Sequence, residues 1–319
     1  MRNQGWIYGD RPKPRHVGLT VLDFYSQNYR HSSRAEWSER IAQGQIFVDG
    51  KPAKAEQILE KNQRLAYHRA PWDEPDAPLN YKILHEDDDF LVIDKPSGLP
   101  VLPGGFFLEN TLLHQLRKHF PNETPIPIHR LGRGTSGLMI LGRSPLGKQH
   151  LSQQIRQHKI TKIYRALIPA GNYPEQLTIT TPIGKVPHPV IGKLHAVLPQ
   201  GKPSHSEMTV LERRDETSLV AVNIKTGRPH QIRIHMAAIG FPLLGDPLYA
   251  AGGHPKIATP PEKTALPGDC GYFLHATELK FLHPKTLKTQ SLYSPPKFNP
   301  QEIAEKFRKT WAIAAEADR

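Results

Sequence analysis

Ile128-His129-Arg130-Leu131-Gly132-Arg133-Gly134-Thr135-Ser136-Gly137-Leu138-Met139-Ile140-Leu141-Gly142-Arg143 is the stretch on which the reading of this 319-residue chain turns. Three glycines in its first ten residues let the backbone bend sharply and approach a ligand closely. Arg130 and Arg133 can reach a phosphate or lie flat on a base. Leu138 to Leu141 is a short apolar run that predicts a buried strand directly after the turn.

Other dense motifs flank this stretch. Asp89-Phe90-Leu91-Val92-Ile93-Asp94-Lys95-Pro96-Ser97-Gly98-Leu99 reads as a buried strand entering a turn, and residues 111–119 as a short helix. Ser144-Pro145 has the cap-then-proline order of a helix start, and Leu151 and Ile155 keep helical spacing after it. Thr161 to Ile168, with Tyr164, reads as a strand, as do Glu207–Glu212 and Ser218–Lys225. Residues 177–205 read as loops with short strands. Then comes Thr226-Gly227-Arg228-Pro229-His230-Gln231-Ile232-Arg233-Ile234-His235-Met236-Ala237-Ala238-Ile239-Gly240, continued by Phe241 to Tyr249. Pro229 suits a first helical turn and Gly240 a stop. Ile232, Met236 and Ile239 form a core-facing stripe, with Arg233 beside it.

The opening stretch resembles motif II of the RluA-type RNA pseudouridine synthases, HRLD-x-x-TSG. Residues 89–99 resemble the family's first motif, and 226–249 its TGRxHQIRxHLAxIGHPILGDxxY block. Leu274-His275-Ala276 with Leu279-Lys280-Phe281 and His283-Pro284 resembles its final signature. The resemblance spans roughly residues 80 to 295, and several motifs in the right order are more specific than any one of them. It implies an α+β fold: a catalytic domain with a mixed, largely antiparallel central sheet and an active-site cleft. It implies isomerisation of uridine to pseudouridine within RNA, ribosomal or transfer, by a protein that is commonly a monomer and needs no metal or organic cofactor. The target nucleotide must leave its stack. By resemblance, Arg130 fills the gap left by the flipped nucleotide, and Arg133 and Arg228 meet the RNA. Tyr164 stacks on the flipped base and takes part in proton transfer. Arg233 pairs with the catalytic aspartate, Leu131 packs, and Thr135 and Ser136 tie the turn to its backbone. Taken singly, Tyr164 reads as a strand tyrosine and Arg233 as a helix-surface cation.

This chain departs from the family at one position: Gly132 stands where the family carries its nucleophilic aspartate. Glycine supplies no carboxylate to the ribosyl–base bond. Loss of a lone nucleophile costs on the order of a thousandfold in rate. Among the other acids, Asp94 in the first motif and Asp246 in the Leu-Gly-Asp turn resemble structural positions of the family, and Asp87, Asp88 and Asp89 precede the first strand and read as exposed; few of these are placed to enter the cleft. Arg233 must otherwise meet water, a substrate phosphate or another carboxylate. Two readings therefore stand: an RNA pseudouridine synthase, and an RNA-binding protein on the same fold that performs no chemistry.

Upstream, residues 1–16 read as an irregular arm and 17–70 as a small α+β module. Ser33-Arg34-Ala35-Glu36 is a capping-box pattern, Trp37 and Ile41 share a helix face, and Gly44 is placed to stop the helix. Gln45 to Val48 reads as a strand, and Asp49-Gly50 as a hairpin turn. This order resembles the S4-like RNA-binding domain, which implies a phosphate-facing side of Arg30, Arg34, Arg40, Lys51 and Lys54; a solvated basic surface is the plain alternative. Residues 71–79, with three prolines and three acids, read as a linker. The catalytic domain then runs over 80–298, and 299–319 reads as a terminal helix or tail.

The bulk properties agree with a nucleic-acid partner. Lysine plus arginine number 42 against 30 acids, a net charge of +12. No stretch approaches the ~20 apolar residues of a membrane span, and Met1 to His16 lacks a signal core, so a cytoplasmic protein is expected. The single cysteine, Cys270, excludes an internal disulfide and fits a reducing compartment. Thirty-one prolines, about twice ordinary usage, predict many loops and few long helices. Gly134-Thr135-Ser136-Gly137 is not a hydrolase elbow. His230 and His235 are five apart rather than the four of a helical zinc pair, and no metal site is expected.

Overall fold

The computed structural model describes residues 2–29, 31–260, 263–296 and 298. The chain divides into two compact units, Met1–Asp76 and Ala77–Arg319. The first holds β1 (Trp6–Asp10), α1 (Val21–Asn28), α2 (Arg34–Ala42), β2 (Ile46–Val48), β3 (Lys51–Pro52) and β4 (Leu65–Arg69). Its sheet order is β1-β4-β2-β3, every pair antiparallel. Residues 6–10 are therefore not an irregular arm: Trp6–Asp10 pairs register-for-register with β4, from Trp6 opposite Arg69 to Asp10 opposite Leu65. The capping box forms, with Glu36 N bonding Ser33 Oγ and Ser33 N bonding the Glu36 carboxylate. Asp49 and Gly50 both take positive φ, 50° and 78°, as the two-residue hairpin between β2 and β3 demands. Trp37, Ile41, Phe24 and Leu65 are buried in this unit's own core.

The second unit is built on β5 (Lys82–Glu86), β6 (Phe90–Lys95), α3 (Leu112–His119), β7 (Ile126–Pro127), β8 (Ser136–Gly142), α4 (Pro145–Arg156), β9 (Thr161–Pro169), β10 (Gln176–Ile179), β11 (Ile183–His188), β12 (Gly192–Val197), β13 (Ser206–Arg213), β14 (Thr217–Ile224), α5 (Gln231–Ala238), β15 (Leu274–Leu282) and β16 (Thr289–Tyr293). Ten strands form one sheet, ordered β10-β13-β14-β9-β15-β8-β6-β5, with β16 on β15 and β7 on β8; β11 and β12 make a separate ribbon. Strands β6 and β8 are buried along their whole lengths, as their unbroken apolar runs require.

All neighbours in the large sheet are antiparallel except β8 and β15. That parallel contact joins two antiparallel halves and spans only two register pairs, His275 with Ser136 and Ala276 with Gly137. Parallel strands present their entering loops at the same end. The loop before β8 and the loop before β15 are thus forced side by side. Gly137 makes the joint possible. Its φ is +105°, and a Cβ there would stand 2.2 Å from Ala276 O.

Helix α5 starts at Gln231, after a left-handed His230, so Pro229 lies outside the first turn; Gly240 ends the run with φ +91°. The expected terminal helix over 299–319 lies outside the described residues. Among the described residues no helix is long and apolar enough to cross a membrane.

Gly137→Ala is expected to cost about 3 kcal/mol or more, because both the φ and the Ala276 contact oppose a side chain. A urea titration showing a midpoint unchanged from wild type would contradict this account of the joint.

Candidate active site

The loop 132–135 is held from below by the turn that follows β6. Lys95 is fully buried, and its Nζ donates to Pro96 O (2.8 Å), Leu99 O (2.8 Å) and Arg133 O (3.2 Å). Three carbonyl acceptors suit an ammonium, although burial pulls the pKa down to about 7. Gly98 N also donates to Arg133 O, and Ser97 Oγ to Gly134 O. The first motif is therefore the cradle of the second. His129 anchors the loop's other end: its Nε2 accepts from Ile140 N (3.1 Å), which requires the neutral ring. Burial, with Lys162 nearby, drops its pKa to about 3.

Gly132 is exposed and outside the left-handed region. A Cβ on it would meet Tyr272 Oη at 3.2 Å and Thr135 Oγ1 at 3.6 Å, and no other atom within 4 Å beyond its chain neighbours. A Cβ on Gly134 would crowd the same ring further, at 3.0 Å from Tyr272 Cε1 and Cζ. The loop entering β8 and the residue entering β15 thus fit one another through two missing side chains.

Arg233 closes the arrangement from α5. Its guanidinium lies 4.1 Å from the Tyr272 ring centroid. Nε and Nη2 donate to Asp246 Oδ2 and Oδ1, both at 2.7 Å, and the side chains are 2% and 0% exposed. Burial alone would pull the Arg233 pKa down; the fork-to-fork bonds to Asp246 outweigh it and raise the pKa. Asp246 Oδ1 further accepts from Leu248 N and Tyr249 N. The carboxylate that Arg233 meets is therefore Asp246, and its oxygens are committed to holding the guanidinium. Asp94, the other candidate acid, is buried in β6 opposite Leu138.

Helix α5 is itself pinned by polar contacts. Thr226 Oγ1 and Arg228 N donate to Gln231 Oε1. Gln231 Nε2 donates to Ser206 Oγ (2.9 Å), which bonds His235 Nδ1 (2.9 Å), and His235 Nε2 faces Thr181 O (3.1 Å). Nε2 must carry the proton, leaving Nδ1 as acceptor. Burial takes the His235 pKa to about 4, partly opposed by the Thr181 bond.

Tyr164 sits in β9, in one row with Ala276 and, beyond it, Gly137. It is buried, and desolvation raises its hydroxyl pKa, so it is a neutral phenol. Arg130 is exposed and lines a cleft of about 590 Å³ between α3 and β7, with Arg117 and His129. Arg133 turns the other way, donating to Gly268 O (2.6 Å) with its guanidinium 5.1 Å from the Phe107 ring. Arg228 donates to Pro203 O (3.0 Å). Thr135 and Ser136 bond side chains rather than the turn's backbone: Thr135 meets Tyr272 Oη (3.3 Å), and Ser136 meets His275 Nδ1 (2.9 Å). In the first unit Arg34 pairs with Asp23, and Lys51 and Lys54 are exposed. Arg40 is directed inward, 4.6 Å from the Trp37 ring, and donates to Ser32 Oγ. Arg30 lies outside the described residues. Tyr272 is the residue that sequence reasoning missed, because nothing in its local pattern marks a contact with a loop about 140 residues away.

Residues 89–238 match the family model described as RNA pseudouridylate synthase. An uncharacterized RNA pseudouridine synthase of Synechocystis is 49% identical over 93% of this chain and 99% of its own length. RNA pseudouridine synthase 5 of Arabidopsis thaliana is 39% identical over 91% of each chain. Among solved structures, human RNA pseudouridylate synthase domain containing 1 superposes with a TM-score of 0.54 at 26% identity, covering 72% of this chain and 89% of that one. The chain belongs to the RNA pseudouridine synthase family.

Removing one partner of a buried ion pair strands the other. Asp246→Asn should therefore lower stability by about 3–5 kcal/mol; a change below about 1 kcal/mol in a denaturant titration would contradict the committed pair. His235 titrates at about 6.5 when unfolded and about 4 when folded. Below pH 6.5 the unfolded chain binds the extra proton first, so its contribution is full above that pH and is lost as pH falls toward 4. His235→Gln should flatten the stability–pH slope between those values by up to about 1.4 kcal/mol per pH unit; parallel profiles for variant and wild type would refute it.

Proposed function

We propose that this protein is an RNA pseudouridine synthase that isomerises uridine in structured RNA, ribosomal or transfer. It acts in the cytoplasm as a monomer without a cofactor. The observation that carries this reading is the meeting of the motif loops: the 132–135 turn, the residue entering β15, and an arginine from α5 locked by a buried carboxylate. Family membership supplies the substrate class, and a net charge of +12 suits a polyanion.

In the reaction the N1–C1′ bond breaks, the base turns, and C5 joins C1′ while the C5 proton is replaced by one on N1. Arg130, exposed beside the cleft, is suited to enter the stack when the uridine swings out. Tyr164 presents a neutral phenol that can donate a hydrogen bond to the base. Arg233 is immobilised, so it contributes a fixed positive field without reorganising. The first unit docks RNA through Arg34, Lys51 and Lys54, which are exposed among the described members of its basic set.

The test is incubation with RNA from a strain lacking the gene, followed by chemical adduct mapping of pseudouridine by primer extension. A new stop at one uridine is expected. Tight, salt-sensitive binding without any new stop would instead assign the protein to RNA binding alone. Arg130→Ala should lower turnover at least tenfold while leaving the melting temperature unchanged; full turnover in that variant would remove Arg130 from the flipping role.

A further inference from the structure

Family membership leaves this chain with a reaction at an anomeric carbon and no carboxylate at position 132. The protein does not leave that space without an oxygen. A Cβ on Gly132 would stand 3.2 Å from Tyr272 Oη and would otherwise meet only Thr135 Oγ1 within 4 Å beyond its chain neighbours. The phenol oxygen of the buried Tyr272 thus borders the ground an aspartate would occupy, next to the exposed Gly132. Its setting is built around it. Gly134 admits the ring edge, Thr135 bonds the hydroxyl, and Arg233 lies on the ring face with Asp246 fixing it. Asp246 cannot take the role itself, because both its oxygens are held by Arg233 and by two backbone amides.

We propose that Tyr272 is the catalytic residue that meets the ribose in this chain, its phenol oxygen taking the place of the carboxylate absent at Gly132. The proposal rests on the pseudouridine synthase reading. Tyrosine serves as the nucleophile at an anomeric centre in sialidases, so the chemistry has a precedent on unrelated folds. In the first step Oη bonds C1′, the N1–C1′ bond breaks with its electron pair going to the base, and the phenol proton passes to the departing uracil. After the base turns, C5 attacks C1′, the Oη–C1′ bond breaks with its pair returning to oxygen, and the C5 proton restores the phenol. No electrons are gained or lost overall, and the product is an isomer. Burial keeps the resting group protonated, while Arg233 and the Thr135 bond pull toward the phenolate that forms when C1′ is released.

The experiment is a cycle on the full-length protein: wild type, Tyr272→Phe, and Gly132→Asp combined with Tyr272→Phe, each assayed by pseudouridine mapping on RNA from the deletion strain. RNA binding and melting are measured beside it. Tyr272→Phe keeps the ring and removes one oxygen, so a purely space-filling role would not move turnover. We expect a loss of at least 100-fold in kcat, binding within twofold, and recovery to within tenfold of wild type in the double variant. Turnover within threefold of wild type in Tyr272→Phe would overturn the proposal, as would loss without recovery in the double variant. An inactive wild type with an active Gly132→Asp, Tyr272→Phe protein would overturn the tyrosine assignment while leaving the pseudouridine synthase reading intact. Inactivity of both, with RNA still bound, would bring down the two together.

Discussion

Two residue pairs of parallel sheet, Ser136 with His275 and Ala276 with Gly137, hold the candidate site together. Everything else in the large sheet is antiparallel, so each half can form from hairpin-like neighbours. The halves then meet at a single joint whose direction decides which loops become neighbours. Had β8 and β15 met antiparallel, their entering loops would lie at opposite ends, and Gly132 would never face Tyr272. The joint is short and tight: Gly137 has no Cβ because the Ala276 backbone occupies that place. Backbone close approach of this kind tolerates no repacking, unlike a side-chain contact.

Around the joint, polar groups are buried in sets that satisfy one another. Lys95 is spent on three carbonyls, Arg233 on Asp246, and His235 and Gln231 on Ser206 and Thr181. Buried ion pairs add little net stability, since desolvation offsets most of the attraction. What these groups do contribute is position. A guanidinium with both prongs held at 2.7 Å has one orientation. A helix whose first turn and middle are both pinned presents that guanidinium at one height. The histidines of the motifs belong to this framework: His129 accepts a backbone amide and His235 bridges a serine and a carbonyl, so both stay neutral.

Much of the framework was legible in the residues. The capping box at Ser33, the cap and proline at Ser144-Pro145, the Asp49-Gly50 hairpin and the apolar runs of β6 and β8 act over a few neighbouring residues, and the chain states them locally. The motif order also led to the family. What escaped was non-local. Trp6–Asp10 looked irregular because its partner, Leu65–Arg69, lies far along the chain. Arg40 read as a surface cation, yet it lies on Trp37 and Tyr67. The hydroxyls of Thr135 and Ser136 found Tyr272 and His275 across the joint instead of their own turn.

The primary structure by itself determined the buried apolar strands of the motifs, several helix caps, the Asp49-Gly50 turn and the family of this protein, along with the absence of an acid at position 132, because each depends on residue type and short spacing. Only the tertiary structure decided which groups stand together: that Asp246 holds Arg233, and that a phenol from the β15 loop stands beside Gly132. The physical reason is that a parallel joint between two sheet halves sets neighbours by strand direction, and direction is a property of the assembled sheet rather than of any segment in it.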